Sequence, residues 1–102
     1  MPMFEESVFQ PVLSQWKRSH DAEWDTLYVS EPLLSIVMYD AQKTMLTVSK
    51  EGIVLTIGGE TTRYCLRGWG LAIGRCKLYI NNPRISAAMV NLLEILRTNH
   101  QH

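Results

Sequence analysis

The sequence predicts one α+β domain of 102 residues, with an N-terminal helix, a six-stranded antiparallel meander and a C-terminal helix. Near both ends of the chain, apolar residues recur about every four positions, as on the buried face of a helix. Between residues 24 and 80 the period falls to two, and a turn signal follows about every ten residues with no helical stretch between them. The C-terminal helix is expected to cover the apolar face of this sheet.

The first helix is predicted from apolar residues at a spacing of four, namely Phe4, Val8, Val12 and Trp16. Pro11 interrupts this pattern, because proline lacks the amide hydrogen that a helix interior needs. Two alternatives follow. Either the helix begins near Gln10 with Pro11 at its first position, or a short turn before Pro11 is kinked onto the helix.

Six segments carry the alternating pattern of strands: Trp24–Val29, Leu34–Tyr39, Thr44–Ser49, Ile53–Ile57, Thr62–Leu66 and Arg75–Ile80. A two-residue turn at Glu51-Gly52 would pair Lys50 with Ile53 and Val48 with Leu55. This register places most apolar side chains on one face, as a half-buried sheet requires. That face would hold Leu34, Ile36, Met38, Leu46, Val48, Ile53, Leu55, Ile57, Thr62, Tyr64 and Leu66. Cys76, Leu78 and Ile80 complete it if the loop near Gly70 has an odd number of residues.

The last helix has clear boundaries in the sequence. Asn82 is a favourable N-cap and Pro83 suits the first helical position. The helix is expected to end near Asn99. Its apolar stripe comprises Ile85, Met89, Leu92, Leu93 and Leu96.

Composition indicates an ordinary globular protein, with 46% apolar and 20% charged residues. The N-terminus lacks the basic and apolar regions of a signal peptide, and no apolar run could span a bilayer, so a cytosolic location is expected. The net charge of zero hides an asymmetry, because residues 1–60 carry a net −5 and residues 61–102 a net +5. Such a chain can self-associate or present two surfaces to partners, unless folding interleaves the two halves.

No motif for catalysis, a metal ion or a cofactor stands out, and none of these is predicted. The glycines of Gly68–Gly74 resemble a dinucleotide fingerprint, but the third glycine comes one residue late and a strand is expected to follow, so a wide hairpin loop is predicted. Cys65 and Cys76 could form a disulfide if they lay directly opposite each other. The register favours opposite faces instead, and therefore two free thiols of which one is buried.

The second face of the predicted sheet combines arginines, aromatics and branched residues, a mixture typical of interfaces. It could bind a protein or a second copy of the chain, it could bind nucleic acid, or the N-terminal helix could cover it. The leading hypothesis is a non-enzymatic cytosolic regulator of another protein, of the inhibitor, adaptor or chaperone type. The alternative is a nucleic-acid-binding regulator that uses the basic ribbon of the last two strands. The predicted partner-binding residues are Tyr39, Arg63, Arg67, Trp69, Arg75, Lys77 and Tyr79.

Overall fold

A computed structural model describes residues 6–20, 24–28, 34–49 and 51–100. Phe4, Val29 and Lys50, which the sequence predictions include, lie outside these residues. The elements are α1 Glu6–Ser19, β1 Trp24–Tyr28, β2 Leu34–Met38, β3 Met45–Ser49, β4 Gly52–Ile57, β5 Glu60–Tyr64, a 3-10 turn Leu66–Gly68, α2 Trp69–Tyr79 and α3 Pro83–His100. The predicted α+β class with an antiparallel sheet is confirmed. The predicted number of strands is wrong, since the sheet has five strands and not six.

The five strands form a meander in the order β1-β2-β3-β4-β5, with every neighbouring pair antiparallel. Val48 pairs with Ile53, so the predicted pairing of Val48 with Leu55 is wrong by two residues. The hairpin turns one residue earlier than predicted, because Ser49 pairs with Gly52. A shift of two residues returns every side chain to its own face, and the predicted faces of β3 and β4 therefore stand.

The turn between β4 and β5 is set by two glycines. Gly58 and Gly59 have φ angles of 61° and 82°, the left-handed region that both central residues of a type I′ turn require. Because this turn has only two residues, Glu60 pairs directly with Ile57. The strand thus begins at Glu60, two residues before its predicted start at Thr62.

The predicted sixth strand, Arg75–Ile80, is helical up to Tyr79, where α2 ends, and the predicted loop at Gly68–Gly74 is largely the first half of this helix. The buried residues of α2 are Trp69, Ala72, Ile73 and Cys76, which have the three- and four-residue spacing of one helical face. Leu78, predicted on the apolar sheet face, is instead exposed to solvent. Glycine-rich composition suggested a loop, but burial of this face outweighs the low helix propensity of Gly70 and Gly74.

All three helices pack on the same face of the sheet. Leu13 and Trp16 of α1 belong to the same buried cluster as Ile36, Leu55 and the apolar stripe of α3. The Trp16 indole N–H donates to the carbonyl oxygen of Ala88 at 2.9 Å, which fixes α1 against α3. The expectation that the N-terminal helix could cover the second sheet face is therefore wrong.

The helix boundaries follow local chemistry. The Asn82 side-chain oxygen accepts hydrogen bonds from the backbone N–H groups of Arg84, at 2.9 Å, and Ile85, at 3.3 Å, which confirms the predicted N-cap of α3. Helix α1 extends on both sides of Pro11. The alternative in which the helix begins near Gln10 is therefore wrong. The structure has helical residues before the proline, as the second alternative requires.

Candidate interaction surfaces

The structure separates the seven residues that were predicted to form one binding surface. Arg75, Lys77 and Tyr79 were predicted on a sixth strand but lie on α2, and Trp69, predicted in the adjoining loop, is the first residue of that helix. Arg63 remains on the second face of the sheet, on β5, and Tyr39 lies on that face just after β2. We call the face of the sheet opposite the helices the open face.

Trp69 is a core residue and not a surface anchor. It is the first residue of α2, and only 3% of its surface is exposed. Its side chain therefore offers no contact area to a partner of the folded chain.

Arg75 fastens α2 to the sheet. Its guanidinium donates to the carbonyl oxygens of Leu55 and Glu60, each at 2.7 Å. A charged donor on two backbone acceptors is a strong interaction, and it holds the β4–β5 hairpin against α2. The basic residues predicted to bind nucleic acid together therefore lie on different surfaces. Arg75 is bonded to this hairpin, while Arg63 lies on the open face.

The other three predicted residues lie near two leucines that sequence reasoning did not select as binding residues. Leu71 is 72% exposed and Leu78 is 76% exposed, on the side of α2 that faces away from the core. Lys77 and Tyr79 are exposed on the same helix, and exposed Arg67 lies one turn before Leu71. We call these five residues, Arg67, Leu71, Lys77, Leu78 and Tyr79, the α2 surface.

Helix α2 is apolar on two opposite sides, which is unusual for a helix at the edge of a small domain. Its inner side holds Trp69, Ile73 and Cys76, while Leu71 and Leu78 lie seven residues apart on the outer side. The signal for this helix was present in the sequence, because the buried residues repeat at helical spacing. The alternation of Cys76, Leu78 and Ile80 obscured it.

A shallow groove of about 520 Å³ adjoins the α2 surface at Lys77. It runs between the end of α2 and one side of α3. Its apolar lining comes from Ile80, Pro83, Ala87 and Val90. A second, smaller depression continues along α3 past Ile95 and Thr98.

The α2 surface lies in a part of the sequence that is rich in basic residues. From Thr61 to Leu93 the sequence contains five basic residues and no acidic residue, and Arg67, Lys77 and Arg84 among them are exposed. Glu94 lines the far side of the groove. The α2 surface is thus a basic and apolar patch on the half of the chain with net positive charge.

The open face has a different character. Its centre holds the partly exposed Val37 and Val54 and the exposed Met45, with hydroxyl side chains between them. The hydroxyls of Ser35 and Thr47 share a hydrogen bond of 3.0 Å, and those of Thr56 and Thr61 share one of 2.9 Å. Charged side chains lie on the two outermost strands, Asp25 on β1 and Arg63 on β5.

The described residues contain no group of three or more His, Cys, Asp or Glu side chains that could hold a metal ion. Among the same residues, no helix has the length and apolar character needed to cross a membrane. Both cysteines are free thiols, Cys65 exposed and Cys76 buried, as the sequence predicted. Burial raises the pKa of the Cys76 thiol to about 12, against a smaller lowering by Arg75.

Comparisons with family models, with curated proteins and with solved structures give no significant match for this chain.

Proposed function

We propose that this protein is a non-enzymatic binding module that captures an acidic, amphipathic helix of another protein on the α2 surface. The observation that carries the proposal is the pair of exposed leucines on α2, Leu71 and Leu78, flanked by basic side chains. Monomeric soluble proteins rarely expose large aliphatic side chains in a contiguous patch, and such patches typically mark interaction sites.

The spacing of the leucines supports a helical occupant. Two residues seven positions apart lie on one line of a helix, about 10 Å from each other. A helix packed alongside α2 would place its own apolar positions between these leucines, as in other helix-in-groove complexes. The adjoining groove with Ile80 and Val90 offers a second apolar contact for the same helix.

Charge supports an acidic occupant. Because Arg67 and Lys77 border the leucines and no acidic residue occurs between Thr61 and Leu93, a basic helix would be repelled. Acidic side chains at the rim of the interface would accelerate encounter and suppress wrong partners. This also argues against α2 pairing with α2 of a second copy.

A synthetic helical peptide with a leucine stripe and glutamates on its flanks is a suitable probe. We expect it to bind the protein in a fluorescence anisotropy titration, and we expect the double variant Leu71→Ser/Leu78→Ser to bind at least about 10-fold more weakly, since two buried leucines contribute several kcal/mol. Lys77→Glu should weaken binding mainly at low salt. The matched control is Tyr39→Ser, which removes a residue 61% exposed on the open face and should leave binding unchanged.

Two results would count against the proposal. One is equal binding of the peptide by the wild type and the leucine double variant while circular dichroism shows both folded. The other is equal binding of a peptide with lysines in place of the glutamates. Binding of a single-stranded oligonucleotide with a steep dependence on salt would favour the nucleic-acid alternative instead.

A further inference from the structure

We infer that the open face is a homodimer interface, on which a second copy of this chain packs its own open face in a two-fold sandwich. This inference is independent of the α2 surface, which lies on the helical side of the molecule. The occupant is argued from three features of the open face: its hydrogen bonding, its charge distribution and its size.

The centre of the open face can lose water at small cost. Ser35 bonds Thr47 and Thr56 bonds Thr61, so each of these hydroxyls already has a partner within its own sheet. A buried polar group that keeps its hydrogen bond carries little desolvation penalty. Around these pairs lie Val37, Met45 and Val54, whose apolar surface would gain from burial.

The charges of the open face are complementary to those of a second copy. Asp25 lies on edge strand β1 and Arg63 on the opposite edge strand β5, and both are exposed. A two-fold axis parallel to the central strand β3 turns the sheet over and exchanges its two edges, so that β1 of one copy faces β5 of the other. Each Asp25 then meets the Arg63 of the second copy, and the pair occurs twice by symmetry.

The register allows these two side chains to meet. Asp25 lies in one row of the sheet with Val37, Met45 and Thr56, and Arg63 lies in the next row with Val54. Adjacent rows on one face are about 7 Å apart along the strands, since two residues of a strand cover that distance. A long arginine side chain spans this offset between two sheets packed about 10 Å apart.

The size of the face predicts a weak dimer. Five strands are about 24 Å across and five residues are about 17 Å long, which gives roughly 400 Å² of flat area per copy. Two such faces bury roughly 800 Å² before the relief of the side chains is counted, at the low end of specific interfaces. We therefore expect a dimer that depends on concentration, with dissociation in the micromolar range.

Two charge-reversal variants provide a sharp test. Asp25→Arg places arginines at both edges of the open face, and Arg63→Asp places aspartates at both edges. Each variant alone should be monomeric by light scattering at concentrations where the wild type dimerises, from about 10 to 500 µM. An equimolar mixture of the two should dimerise, because both edge contacts of the mixed pair are then attractive.

Two further variants address the centre of the interface and its location. Val54→Lys should abolish the wild-type dimer while circular dichroism shows an unchanged fold, and Leu71→Ser/Leu78→Ser should leave it intact. A wild type that stays monomeric throughout the concentration range, or a mixture that stays monomeric, would overturn the inference. So would loss of the dimer in the leucine double variant, which would place the contact on α2. Peptide binding is scored separately, so failure of one proposal leaves the other standing.

Discussion

Cys76 shows how a single residue can couple stability to pH. Its thiol lies in the core under α2, where burial raises its pKa to about 12. In the unfolded chain the thiol ionises near the ordinary cysteine pKa of 9.0. Because the folded pKa is the higher one, the folded state retains this proton up to high pH. The contribution of Cys76 is therefore fully present below pH 9 and is lost as pH rises from about 9 to 12.

This gives a prediction for alkaline unfolding. The free energy of unfolding of the wild type should fall by about 1.4 kcal/mol more between pH 8 and pH 10 than that of Cys76→Ala. The measurement is urea denaturation at both pH values. Other groups that titrate in this range are shared by the two proteins and cancel in the difference. Parallel decreases in both proteins would contradict an un-ionised Cys76 in the folded core.

The thiols also illustrate how a correct inference can come from a wrong element. The sequence predicted one exposed and one buried cysteine from strand alternation. In the structure Cys65 follows β5 and Cys76 belongs to a helix. Burial of Cys76 was correctly predicted because its side chain lies on the apolar side whether the segment is a strand or a helix. Leu78 would lie on that side only in a strand, and it is exposed in the helix.

At the scale of elements, α2 is a helix whose sequence has a low intrinsic helix propensity. Gly70 and Gly74 lie inside it, and a Cβ added at either position would meet no other atom within 4 Å. Glycine in a helix interior costs about 1 kcal/mol relative to alanine, chiefly through the entropy of the unfolded chain. The helix therefore owes its stability to the packing of Trp69, Ile73 and Cys76 against the sheet and α3.

Gly74→Ala should thus stabilise the protein by about 0.5–1 kcal/mol in thermal or urea unfolding. A matched substitution at a strained glycine should do the opposite. Gly52 has a φ of 146°, and a Cβ there would lie 2.1 Å from the carbonyl oxygen of Tyr64. Gly52→Ala should therefore destabilise the protein by at least about 2 kcal/mol. If Gly74→Ala instead destabilises the protein, the space that the structure leaves open beside Gly74 is occupied in solution.

The strands were predicted far better than α2. Their faces depend only on parity, which survives both the shift of the β3–β4 turn and the earlier start of β5. The N-cap at Asn82 was also predictable, since it depends on two adjacent residues, a capping asparagine and the proline that follows it. By contrast, the α2 surface depends on the orientation of a whole helix. Residues 75–80 were assigned the two-residue period of a strand, so this surface was not predicted.

At the scale of the molecule, one residue, Gln42, joins three segments that are distant in sequence through its side chain and its backbone carbonyl. The Gln42 amide donates to the carbonyl of Tyr79 at 2.9 Å and accepts from the N–H of Asn81 at 2.9 Å. Its backbone carbonyl accepts from the N–H of Gly58 at 3.0 Å. The β2–β3 turn thereby holds both the β4–β5 turn and the α2–α3 connection.

Gln42→Ala should lower the free energy of unfolding by about 1–2 kcal/mol, the net contribution of two hydrogen bonds at a partly exposed site. Gln42→Glu retains the acceptor for the Asn81 N–H but loses the donor to the Tyr79 carbonyl. The new carboxylate also repels that carbonyl oxygen, so the free energy of unfolding should fall by more than the contribution of one neutral hydrogen bond. Gln15→Ala, at an exposed position of α1, is the control and should be nearly neutral. Equal stability of Gln42→Ala and Gln15→Ala would show that the amide adds nothing to the fold.

The sequence by itself determined the α+β class, the meander, the buried face of the sheet and the capped C-terminal helix. Each of these follows from local periodicity or from a short stretch of turn and cap residues. Only the tertiary structure decided that residues 69–79 are helical, that α1 joins the helical side and that the open face is left uncovered. In these cases the deciding free energy comes from contacts between residues far apart in the chain, such as Trp16 with Ala88 and Arg75 with Leu55, which no local pattern records.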